Sequence, residues 1–309
     1  MTVMRVAVIG GTGFVGSYIV DSLVEAGHSV SLLVRPGSRS KLQRQDISHI
    51  VEGDVASEAA LDQLLTDCDA VIYCVGILRE FPRKGVTFAA LQYEGVVRTV
   101  EAAINNNVKR FLLMSANGVK VPGTPYQETK KRAEDVVLAS GLDATVFRPS
   151  VIFGDPRGLM EIATQLYRQM VRPPLPAVGF FTGRSPEKGP ILMSPVHVRD
   201  VADAFVKVLD DPQSVSQVYE LGGPEDLSWT DMIRRISASV GKKKWMLPYP
   251  IGLMMFAARF LDWLPFFPAT RDQLTMLAEG NTADPAVLQR LIARASRPFN
   301  ADELSYLED

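Results

Sequence analysis

Cysteine is nearly absent: Cys68 and Cys74 are the only two in 309 residues. With no His or Cys cluster beside them, they match neither a metal site nor a disulfide framework. They read as two small core residues in a reducing compartment. Excess positive charge is also missing. A formal net charge of −2 and a pI near 6.0 argue against a nucleic-acid partner. No run of eighteen uncharged apolar residues occurs, which excludes a membrane-spanning helix. The opening "MTVMRVAVIGG" enters a β-like run at once and lacks the pattern of a signal peptide. Internal repeats and low-complexity tracts are absent as well. These absences point to a cytoplasmic globular protein and leave open peripheral contact with the inner face of a membrane.

What is present is ordinary globular material, 47% hydrophobic and 22% charged, enough for one large domain or two modest ones. The first half alternates strand-like and helix-like stretches. Strands are expected at 6–9, 29–34, 47–52, 70–75, 110–115 and 144–153. Helices are expected at 14–26, 58–65, 87–105 and 126–140. Solidly apolar strands separated by helices imply βαβ units and a parallel sheet buried on both faces. Right-handed crossovers then give an α/β, Rossmann-type doubly wound fold. After Gly154 the texture changes, and "VRPPLPAVGFFTGRSPEKGP" reads as an irregular excursion. The expected division is a nucleotide-binding domain over 1–155, to which 191–211 returns, and a smaller, mostly helical substrate lobe over 156–309.

The stretch "VAVIGGTGFVGSYIV" sets Gly10, Gly13 and Gly16 directly after a strand and at the start of a helix. Glycines there let the backbone approach a pyrophosphate, whose charge sits at the helix N-terminus. Thr12, Phe14 and Val15 lie in the same turn and join the glycines as cofactor contacts. The end of the second strand chooses between cofactors. An acid usually holds the ribose 2′-hydroxyl of NAD, but "LLVRPGSRSK" offers Arg35, Ser38 and Arg39 and no acid before Asp46. Guanidinium groups suit a 2′-phosphate, so NADP(H) is the expected cofactor rather than NAD(H). The competing reading makes Arg35 and Arg39 a solvated loop.

In "TPYQETKKR", Tyr126 and Lys130 stand at i and i+4, on one face of a helix. A neighbouring ammonium would make the phenol more acidic, which suits a general acid or base. The pair alone is weak evidence: with 8 Tyr in the chain, about 0.3 such pairs arise by chance. Context decides.

That context resembles the short-chain dehydrogenase/reductase superfamily in its extended or atypical branch, the NAD(P)-dependent epimerase/dehydratase-like proteins. "GGTGFVG", "EGDV", "VIYCVG", "YQETK", "FRPSVIFG" and "SPVHVRDVADA" occur in the family's order. "GLDATVFRPSVIFG" and "PATRDQLTML" are similar to the atypical group related to the NADPH-binding accessory subunit of respiratory complex I. The resemblance implies that Asp54 and Val55 line the adenine pocket and that Val75 and Gly76 lie against the adenosine ribose. It makes Tyr126 the acid/base, and Lys130 the ribose ligand that lowers the tyrosine pKa. Arg148, Pro149 and Ser150 fall where the sixth strand ends, with Ser150 and Val151 near the nicotinamide. His197 reads as a structural histidine. Two positions depart from the pattern. The hydroxyl that partners the tyrosine usually falls where Ala116 stands, so a loop register shift is needed for Ser115 or Asn117 to serve instead. Gln92 replaces the usual Asn ahead of Gly95.

In the second half, "YPIGLMMFAARFLDWLPFF" carries Leu253, Phe256, Phe260 and Trp263 near helical spacing. It is either a core helix or a helix that borders a hydrophobic pocket or rests on lipid, with "KKK" at 242–244 as a possible aid on anionic lipid. The leading reading is an NADP(H)-dependent oxidoreductase acting on a small, hydrophobic or quinone-like molecule. The alternative is a non-catalytic NADPH-binding protein that supports a respiratory or quinone-making complex.

Overall fold

In the computed structural model, residues 2–44, 46–47, 49–261 and 270–307 are described. The chain begins β1 (Arg5–Ile9), α1 (Phe14–Glu25), β2 (Ser29–Val34), β3 (His49–Glu52), α2 (Glu58–Leu65) and β4 (Ala70–Tyr73). It continues through α3 (Gly95–Asn105), β5 (Arg110–Met114), α4 (Pro125–Ala139) and β6 (Asp143–Pro149). Next come β7 (Ile152–Phe153), α5 (Ile162–Leu166), β8 (Ala177–Phe181), β9 (Leu192–Met193), β10 (Val196–His197), α6 (Val198–Lys207) and β11 (Gln217–Leu221). The last elements are β12 (Leu227–Ser228), α7 (Trp229–Ser239), β13 (Met246–Pro250), α8 (Ile251–Leu261), α9 (Arg271–Glu279) and α10 (Pro285–Ile292). Among the described residues, no helix is long and apolar enough to cross a membrane.

The chain divides into two compact units. One holds Met1–Pro149, Val198–Glu220 and Arg290–Ala293; the other holds Ser150–His197, Leu221–Gln289 and Arg294–Asp309. The first is built on a seven-stranded sheet of order β11-β6-β5-β4-β1-β2-β3. Neighbours from β3 to β6 run parallel. Val6, Ala7, Val8 and Ile9 are all buried, as an apolar strand covered by helices on both faces requires. The strand order reverses between β1 and β4, which is where doubly wound sheets open a crevice at their carboxyl ends. The returning segment adds α6 beside α1, where Ser22 Oγ donates to Asp203 Oδ1 (3.3 Å).

Several expected elements differ. The helix expected at 87–105 opens as a π-turn over Ala89–Glu94 before α3. The Tyr73 hydroxyl donates to Leu91 O inside that turn and satisfies the carbonyl. The strand expected at 144–153 ends at Pro149, and the Ser150 N–H turns to Leu221 O (2.9 Å). "ILMSPVHV" holds two short strands, β9 antiparallel to β12 and β10 parallel to β7. The excursion after Gly154 contains β8, paired in parallel with β13. In α8, Leu253 and Phe256 are exposed (56% and 67%) rather than core. Trp263 and the Phe260 side chain lie outside the described residues.

Candidate functional site

The sheet register brings the candidate residues to one edge. Val51, Leu33, Ile9, Tyr73, Leu113 and Val146 form one row across the sheet. Gly10, Arg35, Asp54, Val75, Gly76, Ser115 and Pro149 each follow that row by one to three residues, so six strands deliver them to the crevice edge.

The turn between β1 and α1 admits only glycine at its tightest points. Gly10 has φ +96°, and a Cβ there would meet the Cys74–Val75 peptide at 3.0–3.1 Å. A Cβ on Gly16 would lie 2.1 Å from Gly10 O. The Cys74 thiol sits beneath, donating to Ile9 O (3.1 Å), and burial pushes its pKa up to about 12. Gly13 caps α1 without any side-chain hydrogen bond. The first-turn amides are therefore left for an acceptor from outside the helix. A bare helix start behind close-approach glycines is the donor set a pyrophosphate needs, so the residues fit a dinucleotide. Arg35 and Arg39 are exposed on the loop after β2. Asp54 is half-buried, with its Oδ1 accepting from Ala56 N (3.0 Å), and Val55 is buried against the position of Gly95.

Helix α4 faces the same edge. Its N-cap Thr124 forms a reciprocal box with Gln127, which sets the first turn and with it Tyr126. Lys130 follows one turn later, buried at 6% exposure, with Nζ donating to Met114 O (3.0 Å). Desolvation lowers its pKa to about 8, and Glu134 opposes that shift. Glu134 is itself fully buried and clamps Arg148 on β6 through two bonds of 2.7 and 2.9 Å. That pair ties α4 to the sheet at the turn beyond Lys130.

Ser115, directly after β5, is 4% exposed, and its hydroxyl has no hydrogen-bond partner among the described residues. It lines a small cleft with Val75, Gln92, Met114 and Lys130. Ala116, one residue on, is only half-buried. Asn117 spends its side-chain oxygen on Gly118 N (2.9 Å). Tyr126 is not among the described residues lining that cleft. Its ring stands edge-on to Phe88, with centroids 5.7 Å apart. The expectation that Lys130 acidifies this phenol is corrected: burial dominates and pushes Tyr126 up to about 12.

In the sequence Gln92 stands out only as a departure from pattern. It is a fully engaged strut, with Nε2 donating to Ile77 O (2.8 Å) and Oε1 accepting from Thr129 Oγ1 (3.2 Å). Its place three residues before Gly95 was the available signal. Pro149 ends β6 in the first unit. Ser150 and Val151 belong to the second unit, where Ser150 Oγ donates to Asn281 O (2.7 Å). His197, also there, is buried, with Nε2 3.4 Å from Glu303 and its ring edge-on to Phe153.

Comparison with known proteins agrees with this geometry. The profile of the NAD(P)H-binding family matches residues 10–172, more than half of the chain. A chloroplastic divinyl chlorophyllide a 8-vinyl-reductase of Cucumis sativus is 26% identical over 284 residues. The match covers 87% of this chain and 65% of that protein, so the chain spans just under two thirds of this relative. A mitochondrial NADH-ubiquinone oxidoreductase 40 kDa subunit of Neurospora crassa is 27% identical, with 90% of this chain and 72% of the relative covered. Among solved structures, a UDP-glucuronic acid 4-epimerase from Bacillus cereus, in complex with UDP-glucuronic acid and NAD, superposes with a TM-score of 0.73. It is 17% identical, with 99% and 98% of the two chains covered, and shows the shared fold. The chain belongs to the NAD(P)H-binding family, with the short-chain dehydrogenase and epimerase type of fold.

Proposed function

We propose that this protein is an NADPH-dependent reductase acting on a carbonyl group of a hydrophobic or quinone-related molecule. The observation that carries the reading is the Ser115 hydroxyl: buried, unpartnered, and in the cleft it shares with Lys130. A buried hydroxyl without a partner forfeits about 1–3 kcal/mol. That deficit is relieved when the hydroxyl donates a hydrogen bond to a substrate oxygen. Gly10, Gly13, Gly16 and the start of α1 would hold the pyrophosphate, and Arg35 and Arg39 the 2′-phosphate. The bound cofactor supplies the hydride. The chain's own work is to orient the substrate oxygen through Ser115 and to deliver a proton to it from Tyr126. A phenol that titrates near 12 stays protonated at neutral pH, which suits a donor and hence the direction of reduction. The names of the cucumber reductase and the Neurospora ubiquinone oxidoreductase subunit support a redox role with an apolar partner.

One observation favours a second reading, a non-catalytic NADPH-binding subunit of a respiratory or quinone-making complex. Tyr126 packs on Phe88 and does not line the Ser115 cleft. Complementation of a deletion strain separates the two. The reductase reading expects both Ser115→Ala and Tyr126→Phe to fail, with turnover down roughly 10²–10⁴-fold and NADPH affinity unchanged. Full rescue by both variants leaves only the binding role. The preference for the phosphorylated cofactor has its own measurement. Arg35→Ala should narrow the NADPH-over-NADH affinity ratio about tenfold or more, and equal affinities in the unaltered protein remove the preference.

A further inference from the structure

The second unit carries a surface that the nucleotide site does not explain. Strands β8 and β13 run parallel, with Met246 level with Ala177, and Trp245 O accepts from Ala177 N (2.8 Å). Just before and along these strands, three large apolar side chains face water: Leu175 at 70% exposure, Trp245 at 83% and Leu247 at 54%. The opposite side of the pair at this end is core, since Ala177 is buried and Met246, level with it, packs against the same cluster. The ribbon is therefore two-faced. An exposed tryptophan beside two exposed leucines forms an apolar cluster of a kind that usually marks an interaction site.

The two segments that build this cluster carry charge of one sign. The turn at 242–244 is tied to the helical turn Tyr167–Val171 that follows α5, with Lys244 Nζ on the carbonyls of Val171 and Pro173 and Lys242 over the Tyr167 ring at 5.7 Å. That tie gathers the exposed Arg168, Arg172, Lys242 and Lys243 beside the apolar residues. Residues 162–186 and 232–261 contain no Asp or Glu at all, in a chain whose formal net charge is −2. Interfacial tryptophan with flanking cations is how proteins rest on anionic membranes, where an apolar wedge and a basic patch act together.

We propose that this face docks on an anionic lipid bilayer, with Trp245, Leu175 and Leu247 entering the headgroup region and Arg168, Arg172 and Lys243 pairing with lipid phosphates. The proposal does not depend on the reductase reading, because no residue of the nucleotide site takes part. The test is flotation of the full chain with vesicles of phosphatidylcholine alone or of phosphatidylcholine and phosphatidylglycerol in equal parts. Binding is expected only to the anionic vesicles, and weaker at high salt. Trp245→Ser should lower the partition coefficient about tenfold or more, and Lys243→Gln about fivefold. Both side chains are exposed, so melting temperature and NADPH titration should stay as in the unaltered protein. Absence of flotation, equal flotation on both vesicles, or flotation undiminished by Trp245→Ser would overturn the proposal.

Discussion

Helices α1 and α4 both begin at the carboxyl edge of the sheet, and they begin in opposite ways. At α1 the N-cap is Gly13, with φ −83° and ψ 172°, no side-chain bond and no acid in the first turn. At α4 every device is used: Thr124 accepts from Gln127 N, Gln127 returns a bond to Thr124 N, and Pro125 and Glu128 occupy the first turn. Glu128 also accepts from Gly123 N (3.1 Å). A good cap contributes about 0.5–2 kcal/mol. Leaving it out at α1 forgoes stability and leaves the first-turn amides and the dipole without a side-chain partner, as the proposed pyrophosphate site requires. Closing it at α4 fixes Tyr126 and Lys130 in place. Under the proposed function, one helix start is left open for a ligand and the other is sealed to aim side chains.

Giving α1 the cap it lacks should break the contrast most severely. The backbone at Gly13 is extended and suits an Asp cap, and a Cβ there is tight but tolerable at 3.1 Å from Gly10 O. Gly13→Asp should keep the melting temperature or raise it slightly. It should weaken NADPH binding by at least about 10³-fold, because like charges brought together cost several kcal/mol. Calorimetric titration beside thermal melting reads both quantities. Retained affinity would mean that the pyrophosphate lies elsewhere.

The next largest effect comes from inside α4. Lys130 titrates near 8 instead of 10.5 because it is buried. Between those pH values the unfolded chain holds a proton that the folded chain has released, so stability rises with pH across that window. Below pH 8 the burden is complete, about 3 kcal/mol from the shift alone. Lys130→Met removes that burden and also the bond to Met114 O, which offsets about 1 kcal/mol. The variant should melt higher at pH 7, lose the rise above pH 8, and lose reductase turnover. A lower melting temperature at pH 7 would make the lysine a structural residue instead.

Much of this was legible in sequence, for reasons particular residues show. Helix α2 falls at Glu58–Leu65 as its periodicity indicates, and β2 at Ser29–Val34, because each is bounded by a cap or a glycine. The glycine turn was readable because chain geometry allows few alternatives there. Strands β8 and β13 were not, since their pairing is long-range and prolines sit inside or beside both. The Ser115 hydroxyl was harder. A one-residue register question between Ser115 and Ala116 turns on where β5 ends, and the sheet shows only where the two residues lie: Ser115 N binds Phe147 O (2.7 Å) and Ser115 lines the cleft. The raised Tyr126 pKa has no local signal, because its cause is burial beside Phe88, which arrives from a different helix.

The smallest effect sharpens the comparison from the other side. Thr124 is buried at 8% exposure and is half of a reciprocal box whose other half, Gln127, also donates through Nε2 to Gly118 O (2.9 Å). Thr124→Ala removes the side-chain acceptor but leaves the Gln127 bond to Thr124 N intact. The loss should be about 1 kcal/mol, near the middle of the range for caps. Tyr126 stands in the first turn of this helix, so fraying there should disturb proton delivery before it disturbs cofactor binding. The expected pattern is a lower melting temperature, a several-fold fall in kcat and an unchanged Kd for NADPH. Thr124→Ser keeps the hydroxyl and should restore both melting and kcat. If Thr124→Ala lowers stability while kcat holds, the sealed start of α4 serves the fold alone, and the aiming role assigned to it here is wrong.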